Sequence, residues 1–243
     1  MSFLRKLSKC LLYVSIPLFI IAVLILAVDI SAGDEAWLRR EYEKLDISRQ
    51  TGMDTETMTA GFMCLSDFMK GETDSLDMTV NINGTEREMF GEREKLHMND
   101  VRTLYSGFMT LKTVFLFFTL AAVIFSAVMY RRAAVRMTAK AFLYSFAGIL
   151  ALFLIIILLA SIDFDCFWRL FHIIFLDVES STFDPAQSLM IQICPLNLFR
   201  DMAGKSALRG ILMNSVFAAA SAVYLTMQKR QKRNLKTAQQ NIK

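Results

Sequence analysis

The chain has 243 residues, 54% of them hydrophobic, with a mean hydropathy of +0.40 and a formal net charge of +4. That composition is too apolar for a water-soluble domain of this length and places the protein in a membrane. The small basic excess does not point to nucleic acid, because the basic residues sit beside apolar stretches long enough to cross a bilayer.

Residues 1–31 read as a cytoplasmic N-terminus and first span, whose apolar run is Leu11 to Val28. The run is longer than the ~7–15 residues of a signal-peptide core and lacks a good Ala-x-Ala site, so a retained anchor is expected. Residues 32–106 form an acidic insertion, with nine basic against sixteen acidic residues, large enough for a small cap. In it Asp34 to Leu45 predicts a helix with Trp37, Leu38, Tyr42 and Leu45 on one face. Asp54 predicts an N-cap for a helix carrying Met58, Phe62, Leu65 and Met69, and Gly71 predicts its stop. Met78, Val80 and Ile82 alternate before Asn83-Gly84, so a hairpin with a type I′ turn into Thr85 to Phe90 is expected. Asn83-Gly84-Thr85 is also a glycosylation triplet, which the turn explains.

From Glu92 a helix is predicted to run toward the second span, residues 107–130 with their apolar run from Leu111 to Tyr130. A basic loop (131–140) and a third span (141–162) follow. The second outer segment, 163–205, opens on Asp163-Phe164-Asp165, a cap for a short helix with Trp168, His172, Phe175 and Leu176 on one side. Phe183-Asp184-Pro185 turns the chain, and Pro195 to Phe199 leads to the fourth span (206–227). There Ser215, Ala218, Ala219 and Ala222 form a small-residue face suited to close packing in lipid. A basic tail (228–243) ends the sequence. The expected fold is mainly α, an integral membrane protein of four transmembrane helices with a small α+β extracytoplasmic cap.

Charge sets the orientation. The segments before Leu11, from 131 to 140, and after Met227 hold thirteen Lys and Arg residues and no acidic residue, while all 23 acidic residues lie between Asp29 and Asp201. By the positive-inside rule both termini are cytoplasmic and the cap is extracytoplasmic. Cys64, Cys166 and Cys194 then fall outside, where a Cys166–Cys194 disulfide is permitted. Small buried thiols are the simpler reading.

Histidine exchanges protons most readily near neutral pH, and the chain has two, His97 and His172. Each lies just beyond a span on the outer side, so both are expected at one depth. His97 shares a helical stripe with Leu96, Val101, Leu104, Tyr105 and Phe108, with Asp100 about one turn on. Burial favours a neutral ring able to accept a proton, whereas a carboxylate such as Asp100 pulls the other way. From the residues alone, the histidines are either packed rings satisfied locally or an acid–base pair. Zinc is a third reading, but no His-Glu-x-x-His or Cys-x-x-Cys occurs. There is no P-loop, no nucleotide glycine fingerprint and no Gly-x-Ser-x-Gly elbow. A non-enzymatic sensor or assembly factor, with the acidic cap binding a partner, is the alternative of a different class.

Several motifs in order carry a resemblance. Arg93-Glu94-x-x-His97-Met98-x-Asp100-Val101, Asp163-Phe164-Asp165, Leu170-Phe171-His172-x-x-Phe175, Phe183-Asp184-Pro185 and Pro195-x-x-x-Phe199 together resemble the bacterial lipoprotein intramolecular transacylase family. Ser188, Leu196 and Thr182-Phe183 stand where that family tends to carry an acidic residue, Glu and Trp. The resemblance implies a multi-pass enzyme of the bacterial plasma membrane, acting on a diacylated lipoprotein among membrane lipids, with no metal and no cofactor. It implies that the sn-2 acyl chain moves from glyceryl oxygen to the cysteine α-amino group, with His97 and His172 as general acid and base. Glu94, Asp100, Asp165 and Asp184 would position helix and turn around the pair. Tyr105, Trp168, Phe171 and Phe175 would line the pocket.

Overall fold

The computed structural model describes residues 2–82, 84–176 and 183–240. In chain order the elements are α1 (Ser2–Ala32), α2 (Glu35–Lys44), α3 (Ile47–Thr51), α4 (Thr55–Lys70), β1 (Thr79–Ile82), β2 (Thr85–Glu88), α5 (Glu92–Tyr130), α6 (Arg132–Ile162), α7 (Phe164–Phe175), α8 (Leu189–Ile193) and α9 (Leu196–Gln240). Helices α1, α5, α6 and α9 are long and apolar enough to cross a membrane. The protein is therefore a mainly helical, integral membrane protein, with four spanning helices and one small antiparallel sheet among the described residues. The 39 residues of α5 extend about 58 Å at ~1.5 Å per residue, roughly twice the hydrocarbon thickness. Its first third, with Glu92, Arg93, Glu94, Lys95, Asp100 and Arg102, precedes the apolar stretch.

The chain divides into two compact units. One comprises Met1–Ala27, Leu111–Ile156 and Leu208–Lys243. Leu12, Ile16, Ile20, Ala141 and Phe142 form its core, and the Phe19 ring meets Phe217 edge-on at 5.2 Å. Polar bonds join α1 to α5: Thr119 Oγ1 donates to the Ser15 carbonyl (2.9 Å), Ser126 Oγ to that of Ser8 (3.1 Å) and Tyr130 Oη to that of Arg5 (2.7 Å). In an apolar medium each such bond fixes the register of the pair as well as its strength. On α9 the close-packed stripe is Gly210, Asn214 and Ala218. A Cβ on Gly210 would lie 2.7 Å from Leu24 Cδ2 and 3.4 Å from Ala27 Cβ, Asn214 is fully buried and Ala218 packs on the core. The small-residue face expected at Ser215, Ala218, Ala219 and Ala222 is thus displaced by about one turn, and Ala219 and Ala222 stay exposed.

The other unit comprises Val28–Thr110 and Ile157–Ala207. Local signals set its elements. Asp34 accepts from the Trp37 amide and caps α2, and Asp54 accepts from the Thr57 amide and caps α4. Gly71 ends α4 at φ 79°, a conformation that costs other residues a Cβ clash. In the hairpin Ile82 pairs with Thr85, which leaves a two-residue connection. Asn83 lies outside the described residues, as does Thr182. Strand β2 stops at Glu88, short of the expected Phe90, because Met89 and Phe90 turn inward and are each 1% exposed. They join Leu38, Tyr42, Met58, Phe62, Leu65 and Ile193 in the core. Gly61 lets α4 approach this layer, where a Cβ would meet Met89 Cε at 2.6 Å. Tyr42, fully buried, donates to the Ile193 carbonyl at 2.8 Å and so ties α2 to α8. All four cysteines are free thiols, with Cys166 exposed and Cys194 buried, so the disulfide permitted by the sequence is not formed.

Candidate active site

His97 sits in the second turn of α5 and His172 in the last turn of α7. The chain's two histidines, 75 positions apart, come together with ring centroids 6.0 Å apart and planes within 13°. Asp163 sets the phase of α7 by accepting from the Cys166 amide at 2.9 Å. Aromatic rings enclose the pair. Trp168 meets His172 edge-on at 4.9 Å, Phe171 meets it at 5.8 Å, and Phe183 meets His97 edge-on at 5.5 Å. Phe199 of α9 stacks on Trp168 at 4.6 Å and backs this wall.

The two rings differ in their bonding. Nδ1 of His172 lies 2.8 Å from the carbonyl oxygen of Trp168, one turn earlier. A carbonyl only accepts, so Nδ1–H donates and the lone pair is on Nε2. His97 is 7% exposed. Its Nδ1 is buried with no hydrogen-bond partner among the described residues, an arrangement that is costly unless something else meets it. Desolvation first, and the neighbouring His172 second, push His97 down to about 4, against a smaller upward pull from Asp100. His97 is therefore neutral at physiological pH.

The carboxylates named from the sequence lie around the pair in distinct roles. Glu94 is buried one turn before His97. It accepts from the Gly91 amide with one oxygen and from Ser188 Oγ with the other. Since Gly91 O accepts from the Lys95 amide, Gly91 stands at the N-cap of α5, and the Glu94 carboxylate supplies the backward half of a capping box by meeting the Gly91 amide. Ser188 in turn accepts from the Ile191 amide and caps α8, so one hydroxyl joins two helix starts. Asp184 accepts from the Ala186 amide within its own turn. Asp165 faces Arg169 at 3.7 Å on exposed helix. Asp100 is exposed one turn after His97. Tyr105 donates to Asp29 at 2.6 Å and thereby joins α5 to α1, and Phe175 lies 6.1 Å from Phe108. Trp168 and Phe171 are the two that touch a histidine ring. Phe183, Phe199 and Ser188 complete the site, and each had a sequence signal in the Phe-Asp-Pro and Pro-x-x-x-Phe motifs or in Ser188's unusual place. Among the described residues no group of three His, Cys, Asp or Glu side chains is placed to share a metal ion.

The family model of the lipoprotein intramolecular transacylase Lit matches residues 11–199. The chain belongs to the Lit family. It is accordingly an acyltransferase of membrane lipoprotein modification, and not the sensor or assembly factor that the acidic cap also allowed. The fold agrees with solved Lit structures. The lipoprotein intramolecular transacylase Lit from Bacillus cereus superposes with a TM-score of 0.68 at 16% identity, covering 95% of this chain and 100% of that one. The same Bacillus cereus protein with a histidine replaced by arginine, and with it replaced by alanine, each gives 0.66 at 17% identity. Those two alignments cover 95% of this chain and 96% and 97% of theirs. No curated protein matches the sequence.

Proposed function

We propose that this Lit-family enzyme moves the sn-2 acyl chain of a diacylglyceryl-cysteine lipoprotein onto the cysteine α-amino group. His97 and His172 are its proton-handling pair. The supporting observation is the meeting of the only two histidines at 6.0 Å inside an aromatic wall. An α-amine has a pKa near ~8 and must lose a proton before it attacks. His172, with Nδ1–H held by the Trp168 carbonyl, presents Nε2 as the acceptor. His97, neutral and buried, polarises the ester carbonyl by donating a ring N–H, as a neutral imidazole does without bringing a charge into an apolar site.

Attack forms the N–C bond, and collapse breaks the C–O bond of the glyceryl ester. The proton taken from nitrogen is delivered to the departing oxygen, so one amide and one alcohol replace one amine and one ester. No covalent enzyme intermediate and no cofactor is required. General acid–base help of this type contributes roughly 10²–10⁴-fold, and holding two ends of one substrate together contributes more. The far face of α7 exposes Leu170, Ile173 and Ile174, which gives acyl chains an apolar approach to His172. On this reading the cap (32–106) and the segment 163–205 face outward, both termini are cytoplasmic, and the enzyme resides in the bacterial plasma membrane.

The test is expression in a bacterium lacking lipoprotein N-acylation, followed by mass spectrometry of a lipoprotein's N-terminal peptide. The expected product carries its acyl chain on nitrogen and a lyso-glyceryl group. Acyl chains left on glycerol, with folded protein present in the membrane, would refute the reaction. Transfer that survives His97→Ala or His172→Ala would refute the pair while leaving the reaction intact.

A further inference from the structure

A second site lies in the unit made of Met1–Ala27, Leu111–Ile156 and Leu208–Lys243 and shares no residue with the histidine site. Helices α6 and α9 bound a cleft of about 350 Å³ lined by Arg136, Lys140, Leu225, Gln228, Lys229 and Lys232. We infer that this cleft binds the headgroup of an anionic phospholipid. The inference is independent of the reaction proposed above and of the side of the membrane on which the cleft lies.

Register brings the four cations together. Arg136 and Lys140 are one turn apart on α6, and Leu225, Gln228, Lys229 and Lys232 follow the i, i+3, i+4, i+7 stripe of α9. Like charges so spaced repel one another, and no side chain of this unit carries a negative charge to offset them. Residues 1–28, 101–162 and 202–243 contain no Asp or Glu at all, so no side-chain carboxylate occurs anywhere in this unit. A cationic cleft without a resident anion is built for an external one. Arg136 can hold phosphate oxygens bidentately while the lysines act as point charges.

Depth decides which anion. The apolar run of α9 ends at Met227, and the cleft begins at that level, where headgroups meet the hydrocarbon. Apolar surface continues from it into the membrane: Val223 is 58% exposed, and Tyr144, one turn beyond Lys140, is 75% exposed. A soluble phosphate would use the cations alone. A phospholipid uses both, headgroup in the cleft and acyl chains along α6 and α9.

Native mass spectrometry of the full-length enzyme in neutral detergent tests this. Titrations use phosphatidylglycerol, phosphatidylcholine and soluble glycerophosphate. Wild type should retain phosphatidylglycerol at roughly tenfold lower lipid concentration than phosphatidylcholine, and glycerophosphate should not displace it at matched concentration. The variant Arg136→Gln/Lys140→Gln/Lys229→Gln/Lys232→Gln should lose the preference. Removing four charges elsewhere, in Arg5→Gln/Lys6→Gln/Arg230→Gln/Arg233→Gln, should leave it. Equal retention of the two lipids, or equal loss in the two variants, overturns the site. Displacement by glycerophosphate replaces the lipid with a free phosphate and overturns the assignment. If the quadruple variant does not purify folded, Lys229→Gln/Lys232→Gln serves, and an unchanged preference there overturns the site equally.

Discussion

His97 is held neutral by its surroundings, and that has a cost with a definite sign. Its folded pKa of about 4 lies below the ~6.5 of an exposed imidazole. As pH falls from 6.5 toward 4, the unfolded chain binds the proton first and the folded state loses stability, by about 1.4 kcal/mol for each unit the two pKa values differ. Above pH 6.5 both states are neutral and the residue contributes no pH dependence. We predict that His97→Gln, followed by thermal melting in detergent across pH 4–7.5, flattens the acid side of the stability profile. Parallel profiles for wild type and variant would contradict this. Ser188 is a second residue with a large expected effect, because its hydroxyl serves both Glu94 and the start of α8. Ser188→Ala leaves a buried carboxylate oxygen short of a donor, and we predict a loss of about 1–3 kcal/mol. Ser188→Thr, which keeps the hydroxyl, should recover most of it. A melting temperature unchanged in Ser188→Ala would show that the bond carries no weight.

At the scale of elements, the histidine spacing depends on where α7 begins. We predict that Asp163→Ala, which removes the acceptor for the Cys166 amide, costs about 1 kcal/mol of helix stability. It should lower transacylation more than it lowers melting temperature, because the cap sets the phase of the helix that carries His172. Equal loss in both would make the cap merely structural. On α9, Gly210→Val should drive the α1 contact at Leu24 apart and lower the melting temperature by several degrees, an overpacking cost of roughly 1–3 kcal/mol.

What was legible in the sequence follows the range of each interaction. Asp54, Gly71 and Asp163 act within a few residues, so their caps could be read directly. The pairing of His97 with His172 was readable because the chain has no other histidine and the flanking motifs fall in a familiar order. The bond between Glu94 and Ser188 spans 94 positions, and nothing local announces it. The α9 stripe was misplaced for a related reason. Small residues mark several faces of that helix, and only the partner, Leu24 on α1, selects Gly210 and Asn214. The short α3 and α8 carry too few residues for a period to show.

For the whole molecule, the separation of charge makes the orientation testable. Cys166 is exposed in the segment proposed to face outward. We predict that a membrane-impermeant maleimide labels it in intact cells, whereas a cysteine introduced by Gln239→Cys in the basic tail is labelled only after permeabilisation. The reverse pattern would invert the proposed topology.

The bond between His172 and the Trp168 carbonyl has one more consequence for the proposed chemistry. With Nδ1 tethered to the backbone, the ring cannot turn over between steps, and it has a single port for protons. The nitrogen that gives up a proton and the oxygen that receives it must therefore visit the same atom, one after the other. In the substrate these two atoms are linked through cysteine and glyceryl, and attack closes them into one medium-sized ring. A single port suits a reactant that folds back on itself, because ring closure delivers the second partner to the place the first has just left. Two separate molecules would have to exchange places there.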